Sequence, residues 1–195
     1  MRKGVLGGSF NPLHFGHINM ALALLEAHRL DSVLFCPAFT SPFKAVAPPV
    51  AAPQQRLAML KLGIQRIPHF SLLDWEIKQE GPSYTIDTIK RLKEESEADL
   101  FLLLGEDQLP HLHQWKDVQK LFSLCAPLIA SREGSPLHLP HLLPTVNALV
   151  DRGRTKIPIM EISSTLVRMR LAKKQFCGHL VPDLILDYIA QHRLY

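Results

Sequence analysis

The run Gly7-Gly8-Ser9-Phe10-Asn11-Pro12-Leu13-His14-Phe15-Gly16-His17 constrains this chain more than any other feature. It follows a short apolar stretch, Val5-Leu6, and precedes an apolar-periodic run from Ile18 to His28. That order predicts strand, glycine loop, helix. Glycines allow backbone to approach a ligand closely. A helix start presents free N–H groups and the positive end of the dipole, which favours anions. Two imidazoles three residues apart can donate to phosphate oxygens. Gly8, His14 and His17 are therefore candidates to hold a nucleotide triphosphate. The run is not the dinucleotide pattern G-x-G-x-x-G, and it lacks the Lys-Ser/Thr ending of a P-loop.

The rest of the chain alternates apolar runs with helical patterns, which predicts βα units around a mostly parallel sheet with helices on both faces. Strands are expected at Val5–Gly7, Val33–Cys36, Phe70–Leu73, Leu100–Leu104 and Ile157–Met160, with a weaker one at Pro127–Ala130. Trp75–Lys78 is expected to continue the third strand or to form a hairpin arm. A helix opens at Pro53 with Leu57, Leu60 and Ile64 on one face. Thr85 is expected to cap a helix carrying Ile86, Ile89 and Leu92. The proline-rich connection Pro37–Pro53 is long for a compact domain. Prolines also interrupt Ser135–Arg154, where no element is assigned.

With 195 residues, 47% of them hydrophobic, the chain can bury one well-packed α/β domain spanning residues 1–195. No apolar stretch approaches the ~18 residues of a membrane span, and Met1-Arg2-Lys3 leads into the first strand without a signal-like apolar region. A cytoplasmic enzyme is expected. Cys36, Cys125 and Cys177 are scattered and odd in number, which suits buried small hydrophobes better than disulfides or zinc. The net charge of +4 suits anionic small ligands. No basic run or RNA-binding motif points to nucleic acid, and a homo-oligomer is neither required nor excluded. His111, His113, His138 and His141 have no neighbours that complete a ligand set, so no metal site is expected.

A second segment, Ile162-Ser163-Ser164-Thr165-Leu166-Val167-Arg168, opens the first of two final helices, Ser164–Lys173 and Pro182–His192. Adjacent hydroxyls stand beside free N–H groups, and Arg168 follows one turn later on the side of Ser164 and Thr165. Such a terminus binds phosphate through N–H, hydroxyl and guanidinium together, although Ser and Thr are also ordinary helix caps.

These two segments resemble the H-x-G-H and I-S-S-T-x-x-R motifs of the nucleotidyltransferase superfamily. Gly81–Thr88, the Leu104-Gly105-Glu106-Asp107-Gln108-Leu109 stretch with Trp115, and Pro37–Lys44 narrow the resemblance to bacterial nicotinate mononucleotide adenylyltransferases. It extends over essentially the whole chain. It implies a Rossmann-like nucleotidyltransferase fold. It implies transfer of AMP from ATP to nicotinate mononucleotide, with pyrophosphate released and magnesium carried on the ATP phosphates.

By the same resemblance, His14, His17 and Arg168 form the catalytic set. Ser9, Phe10, Lys44, Ser163, Ser164 and Thr165 attend the phosphates. Gly105, Asp107 and Arg132 attend the nucleoside, Tyr84, Thr85 and Ile86 present backbone to the nicotinate carboxylate, and Trp115 stacks on the pyridine ring. Four positions depart from the family: Asn11 for Asp, Ser9 for Thr, Phe43 for a frequent His, and Gln79 for a frequent Arg. Three rival functions share parts of the pattern. A pantetheine-phosphate adenylyltransferase has both outer motifs, but not the Ser83-Tyr84-Thr85 and Gly105…Trp115 segments. A silent nucleotide-binding regulator would not need His14, His17 and Arg168 intact. An RNA-binding synthetase fragment would carry a Lys-Met-Ser-Lys-Ser-like run, which is missing here.

Overall fold

The computed structural model describes residues 1–42, 50–131, 139, 141–158 and 160–195. Six strands form one sheet: β1 (Arg2–Gly8), β2 (Ser32–Pro37), β3 (Phe70–Leu72), β4 (Asp99–Gly105), β5 (Ala126–Ser131) and β6 (Arg154–Lys156). Their order is β3-β2-β1-β4-β5-β6. The β1–β4, β4–β5 and β5–β6 ladders are parallel, so helices supply the returns. These are α1 (Phe15–Ala27), α2 (Pro53–Ile64), α3 (Trp75–Gln79), α4 (Thr85–Glu95), α5 (Val118–Leu124), α6 (Pro144–Gly153), α7 (Ser164–Ala172) and α8 (Asp183–His192), with a 3-10 helix at Glu106–Gln114. The order jumps from β1 to β4, so the strand ends on either side of that step carry chain in opposite directions across the sheet. Ligands of α/β sheets bind at such a switch point. No helix among the described residues is long and apolar enough to cross a membrane.

The residues cluster into two compact units. The first holds Met1–Leu6, Met20–Leu34 and the chain from Tyr84 to residue 159; the second holds Gly7–Asn19, Phe35–Ser83 and Met160–Tyr195. In the first, Leu100, Leu102 and Leu104 of β4 join Val5, Ile86, Ile89, Leu121, Ile129, Val146 and Val150 in one buried cluster. A strand buried on both faces reads as a continuous apolar run, which is why Leu100–Leu104 is so legible. β5 is stronger than expected from its sequence, with five of its six residues buried. Gly153 ends α6 against this strand, where a Cβ would run into the Pro127 carbonyl oxygen. In the second unit Phe35 lies between Phe10 and Phe70, with ring centroids 5.8 and 4.8 Å away.

Three expectations need correction. Trp75–Gln79 is helical, neither strand nor hairpin. Trp-Glu-Ile-Lys-Gln contains good helix formers, and Lys78 pairs with Asp74 one turn back at 2.8 Å. The last strand is Arg154–Lys156 rather than Ile157–Met160. Pro158 has no N–H to continue the ladder, and Ile157 N–H makes the final bond, to the Ser131 carbonyl at 3.1 Å. Thr85 is the first residue inside α4 and not its cap; Tyr84 holds the cap position without a side-chain bond. In the unassigned stretch, Pro144 starts α6 from its first turn. Pro136 and Pro140 lie outside the described residues. The three cysteines are buried and form no disulfide, and burial pushes the Cys125 thiol up to about 12.

Candidate active site

The H-x-G-H segment leaves β1 at Gly8 and enters α1 at Phe15. Phe10 turns inward at a φ of 45° and is almost fully buried. Its ring meets the His17 imidazole edge-on, with centroids 5.1 Å apart. The His14 and His17 rings stack at 3.7 Å. Gly16 makes that stacking possible, because a Cβ there would sit 3.0 Å from His14 Nδ1 and 3.4 Å from the Ile162 carbonyl oxygen. The glycine of the motif thus leaves room for the His14 ring that a side chain would narrow.

The two imidazoles differ electrostatically. His14 is 5% exposed, and burial lowers its pKa to about 4, so it is neutral at pH 7. Its Nδ1 is buried and has no hydrogen-bond partner among the described residues. His17 is half-buried, and its Nδ1 accepts the His14 backbone N–H at 3.3 Å. That bond puts the proton of the neutral ring on Nε2. His17 therefore has a donor on the side away from the backbone.

The second motif closes on the first within the same unit. Ser163 caps α7, accepting the Leu166 N–H at 3.1 Å. Ser164 Oγ donates to the Pro12 carbonyl at 2.9 Å. Arg168 donates through Nη1 to the Asn11 carbonyl at 2.8 Å and through Nη2 to Thr165 Oγ1 at 3.2 Å. A guanidinium has five N–H donors, so most of them are left over by these two bonds. Ser163 is thus the ordinary cap, whereas Ser164 and Arg168 hold the histidine loop from more than 150 positions away.

Sequence reasoning missed Arg56. It is 1% exposed, and its Nη1 and Nη2 donate to the carbonyls of Ser9 (2.8 Å) and Phe39 (2.9 Å). A signal was available, since Arg56 shares the buried face of α2 with Met59, Leu60 and Ile64, and a cation on an apolar face needs a partner. Asn11, which stands where the family has Asp, accepts at Oδ1 from the Ala51 N–H at 3.3 Å and from the Tyr195 hydroxyl. Both partners are donors, so a carboxylate could accept the same bonds.

Gly105, Asp107, Trp115, Tyr84, Thr85 and Ile86 lie in the first unit. Gly105 ends β4, and a Cβ on it would collide with the Asp107 carboxylate. Asp107 is exposed at the start of the 3-10 helix, where its Oδ2 accepts from Gln108 Nε2 at 2.7 Å. It is not the cap, a position occupied by Gly105. Beneath it the Glu106 carboxylate accepts from Ser131 Oγ and pairs with the buried Arg154 guanidinium. Trp115 is half-buried at the end of the 3-10 helix, packed on the apolar cluster.

Tyr84 is half-buried with Lys116 Nζ 4.4 Å over its ring, and Lys116 also pairs with Asp87 at 3.0 Å. Ile86 is 1% exposed and belongs to the core, so only its backbone can face a ligand. The Tyr84 carbonyl takes the N–H groups of Asp87 and Thr88, and no backbone acceptor is described for those of Thr85 and Ile86. Gln79 is exposed at the end of α3. Lys44, Arg132, Phe43 and His138 lie outside the described residues. Among the described residues no three His, Cys, Asp or Glu side chains come together to hold a metal ion.

A model of the cytidylyltransferase-like family matches residues 5–170. A protein named "Probable nicotinate-nucleotide adenylyltransferase" from Roseiflexus sp. (strain RS-1) is 37% identical over 193 residues, 98% of this chain and 96% of that one. A protein of the same name from Thermomicrobium roseum is 36% identical over 196 residues, 100% of this chain and 91% of that one. Among solved structures, Plasmodium falciparum nicotinic acid mononucleotide adenylyltransferase complexed with APC superposes with a TM-score of 0.76 at 19% identity, covering 98% of this chain and 96% of that one. The same protein complexed with NaAD gives 0.75 at 19% identity, covering 98% and 95%. At such identities the likeness is one of fold.

Proposed function

Because this chain belongs to the cytidylyltransferase-like family, and within it to the nicotinate-nucleotide adenylyltransferases, we propose that it transfers AMP from ATP to nicotinate mononucleotide, forming nicotinic acid adenine dinucleotide and pyrophosphate in NAD biosynthesis. The observation that carries this reading is the closure of the second motif on the first. Ser164 and Arg168 bond the backbone of Pro12 and Asn11, beside the stacked pair His14 and His17. One polar surface then offers imidazole, hydroxyl, guanidinium and helix N–H groups, a donor set suited to a triphosphate.

The chemistry asks for little more. The nucleophile is a phosphate oxygen of nicotinate mononucleotide, already anionic, attacking the α-phosphorus of ATP. No protein nucleophile and no strong base is required. Catalysis consists of positioning the two phosphates and stabilising charge on the transferred group and the leaving pyrophosphate. His17 donates from Nε2. His14, neutral and stacked on His17, offers its imidazole beside it. Arg168 uses its remaining N–H groups on the triphosphate, and Ser9, Phe10, Ser163, Thr165 and Lys44 support the phosphates. Gly105, Asp107 and Arg132 serve the nucleoside, Trp115 the pyridine ring, and the backbone N–H groups at Tyr84, Thr85 and Ile86 the nicotinate carboxylate.

We assign magnesium to the ATP phosphates. The described donors around His14 are imidazoles, hydroxyls and a guanidinium, whereas magnesium favours carboxylate, phosphate and water oxygens. Bound there, the ion supplies neutralisation of phosphate charge. We read residues 1–195 as one nucleotidyltransferase domain, since β1, α1 and β2 each contribute to both compact units, and as a cytoplasmic enzyme.

The test is pyrophosphate release with ATP and three acceptors: nicotinate mononucleotide, nicotinamide mononucleotide and phosphopantetheine. A carboxylate accepts from the N–H groups at the start of α4, whereas an amide turned the wrong way leaves a donor unpaired. Such a group costs roughly 1–3 kcal/mol when buried. The expected result is at least about tenfold higher kcat/KM for the acid than for the amide, the ratio that ~1.4 kcal/mol gives, and no turnover with phosphopantetheine. Equal use of acid and amide would remove the carboxylate assignment. Preference for phosphopantetheine would replace the function.

A further inference from the structure

We propose that Tyr195 is a positioning residue for the phosphate-binding loop, acting through the side chain of Asn11. The inference rests on the reading that the loop around His14 and His17 binds ATP phosphates. Tyr195 Oη donates to Asn11 Oδ1 at 2.5 Å across 184 positions of sequence. The same oxygen accepts the Ala51 N–H at 3.3 Å. The Asn11 carbonyl accepts from Arg168, and the neighbouring carbonyls of Pro12 and Ser9 accept from Ser164 and Arg56. These five groups, which hold residues 9–12, come from distant parts of the chain.

Tyr195 differs from the others in what it holds. Arg56, Ser164 and Arg168 bond backbone carbonyls, which any residue would offer. Tyr195 bonds the only side chain in this set, and so sets the rotamer of Asn11. The phenol is half-buried beside the guanidinium groups of Arg56 and Arg168. Burial raises its pKa above the ordinary tyrosine value, against the lowering effect of Arg168 and Arg56. The hydroxyl thus stays protonated and remains a donor. With Oδ1 accepting from two donors, the Asn11 amide is held in one orientation beside the carbonyl that Arg168 bonds. The guanidinium is placed for phosphate by a tyrosine that need not touch it.

Three full-length variants test this: Tyr195→Phe, Asn11→Ala, and the two combined. Phenylalanine keeps the ring packing and removes one hydrogen-bond donor. The expected result is an ATP KM raised about three- to tenfold in Tyr195→Phe, the size of one lost hydrogen bond, with KM for nicotinate mononucleotide within twofold of wild type. In the Asn11→Ala background the tyrosine change should add less than twofold, because its route of action is gone. Unchanged ATP KM in Tyr195→Phe, or full multiplication of the two effects, would overturn the proposal.

Hydrogen exchange without nucleotide gives a readout that does not depend on the enzyme assignment. The latch predicts faster exchange over residues 8–13 in Tyr195→Phe and no change over β4. Equal exchange over residues 8–13 would refute the latch even in an active enzyme. Wild-type protein that releases no pyrophosphate would instead refute the adenylyltransferase reading, and faster exchange would still support the latch.

Discussion

The two groups of candidate residues are held by different kinds of contact. Around His14, anchors arrive from far along the chain: Ser164 and Arg168 on Pro12 and Asn11, Arg56 on Ser9, Tyr195 on Asn11. Around Asp107 and Tyr84, the hydrogen bonds to Asp107 and Asp87 are exposed: Gln108 on Asp107 next to it, and Lys116 on Asp87 and over Tyr84, with Trp115 set by apolar packing. The difference suits the tasks proposed for each. Charge stabilisation depends on donors fixed before the reaction. Stacking and carboxylate binding tolerate side chains that settle when the ligand arrives. Changes in the first group should therefore be large and coupled, and those in the second smaller and independent.

The largest expected effect is at His17. His17→Ala should lower turnover about 10²–10³-fold, the usual cost of one lost charge-stabilising donor, with an unchanged circular dichroism spectrum. Turnover above about a third of wild type would be worth less than ~1 kcal/mol, and would place the main phosphate contact elsewhere.

Next comes an effect of pH on stability. His14 has a folded-state pKa of about 4 against an ordinary value of 6.5. Between those values the unfolded chain binds the proton and the folded chain does not, so stability rises with pH across that window. The contribution is complete above pH 6.5 and is lost as pH falls toward 4. The difference corresponds to about 3 kcal/mol. Urea unfolding at pH 7.5 and pH 4.5 should show a loss for wild type that is much reduced in His14→Gln. An equal loss in both proteins would assign the acid sensitivity to other groups.

Arg168→Lys should cost about tenfold in kcat/KM for ATP, because an ammonium cannot reproduce bonds from two guanidinium nitrogens. Combined with Ser164→Ala, the loss should fall short of the product of the single losses, since both residues hold the same two-residue stretch. Strict multiplication would break the distinction between coupled and independent regions.

How much of this was legible in sequence follows the same division. Helix starts are local patterns, and both segments proposed to bind phosphate stood out because hydroxyls, glycines and histidines sat at fixed spacing beside α1 and α7. The continuous apolar run of β4 declared a central strand for a similarly local reason. Tyr195 and Arg56 escaped because nothing near them in sequence distinguishes a latch from a tail residue or a surface cation. Their partners lie 184 and 47 positions away. At Trp75 the period of so short a segment could not separate strand from helix. At Ile157 the apolar run was real, but the proline that ends the ladder outweighed it. Asp107 was identified by family spacing alone, and its local contacts would not have singled it out.

The smallest expected effect is at Lys116, and it tests the independent side of the comparison. Its ammonium makes two contacts that look substantial, 3.0 Å to Asp87 and 4.4 Å over the Tyr84 ring. Yet the Lys116 and Asp87 side chains are 44% and 38% exposed. Water competes for both charges, and ordering a long lysine chain costs entropy, so such pairs contribute about 0–1 kcal/mol. Lys116→Ala should change unfolding free energy by no more than ~0.5 kcal/mol, and raising the salt concentration should shrink even that. Ser164→Ala removes one neutral hydrogen bond at 2.9 Å, half-buried and long-range. It should cost more, about 1 kcal/mol. If the lysine proved more costly than the serine, the first-unit contacts would be structural supports and not adjustable ones, and the contrast between the two regions would fail.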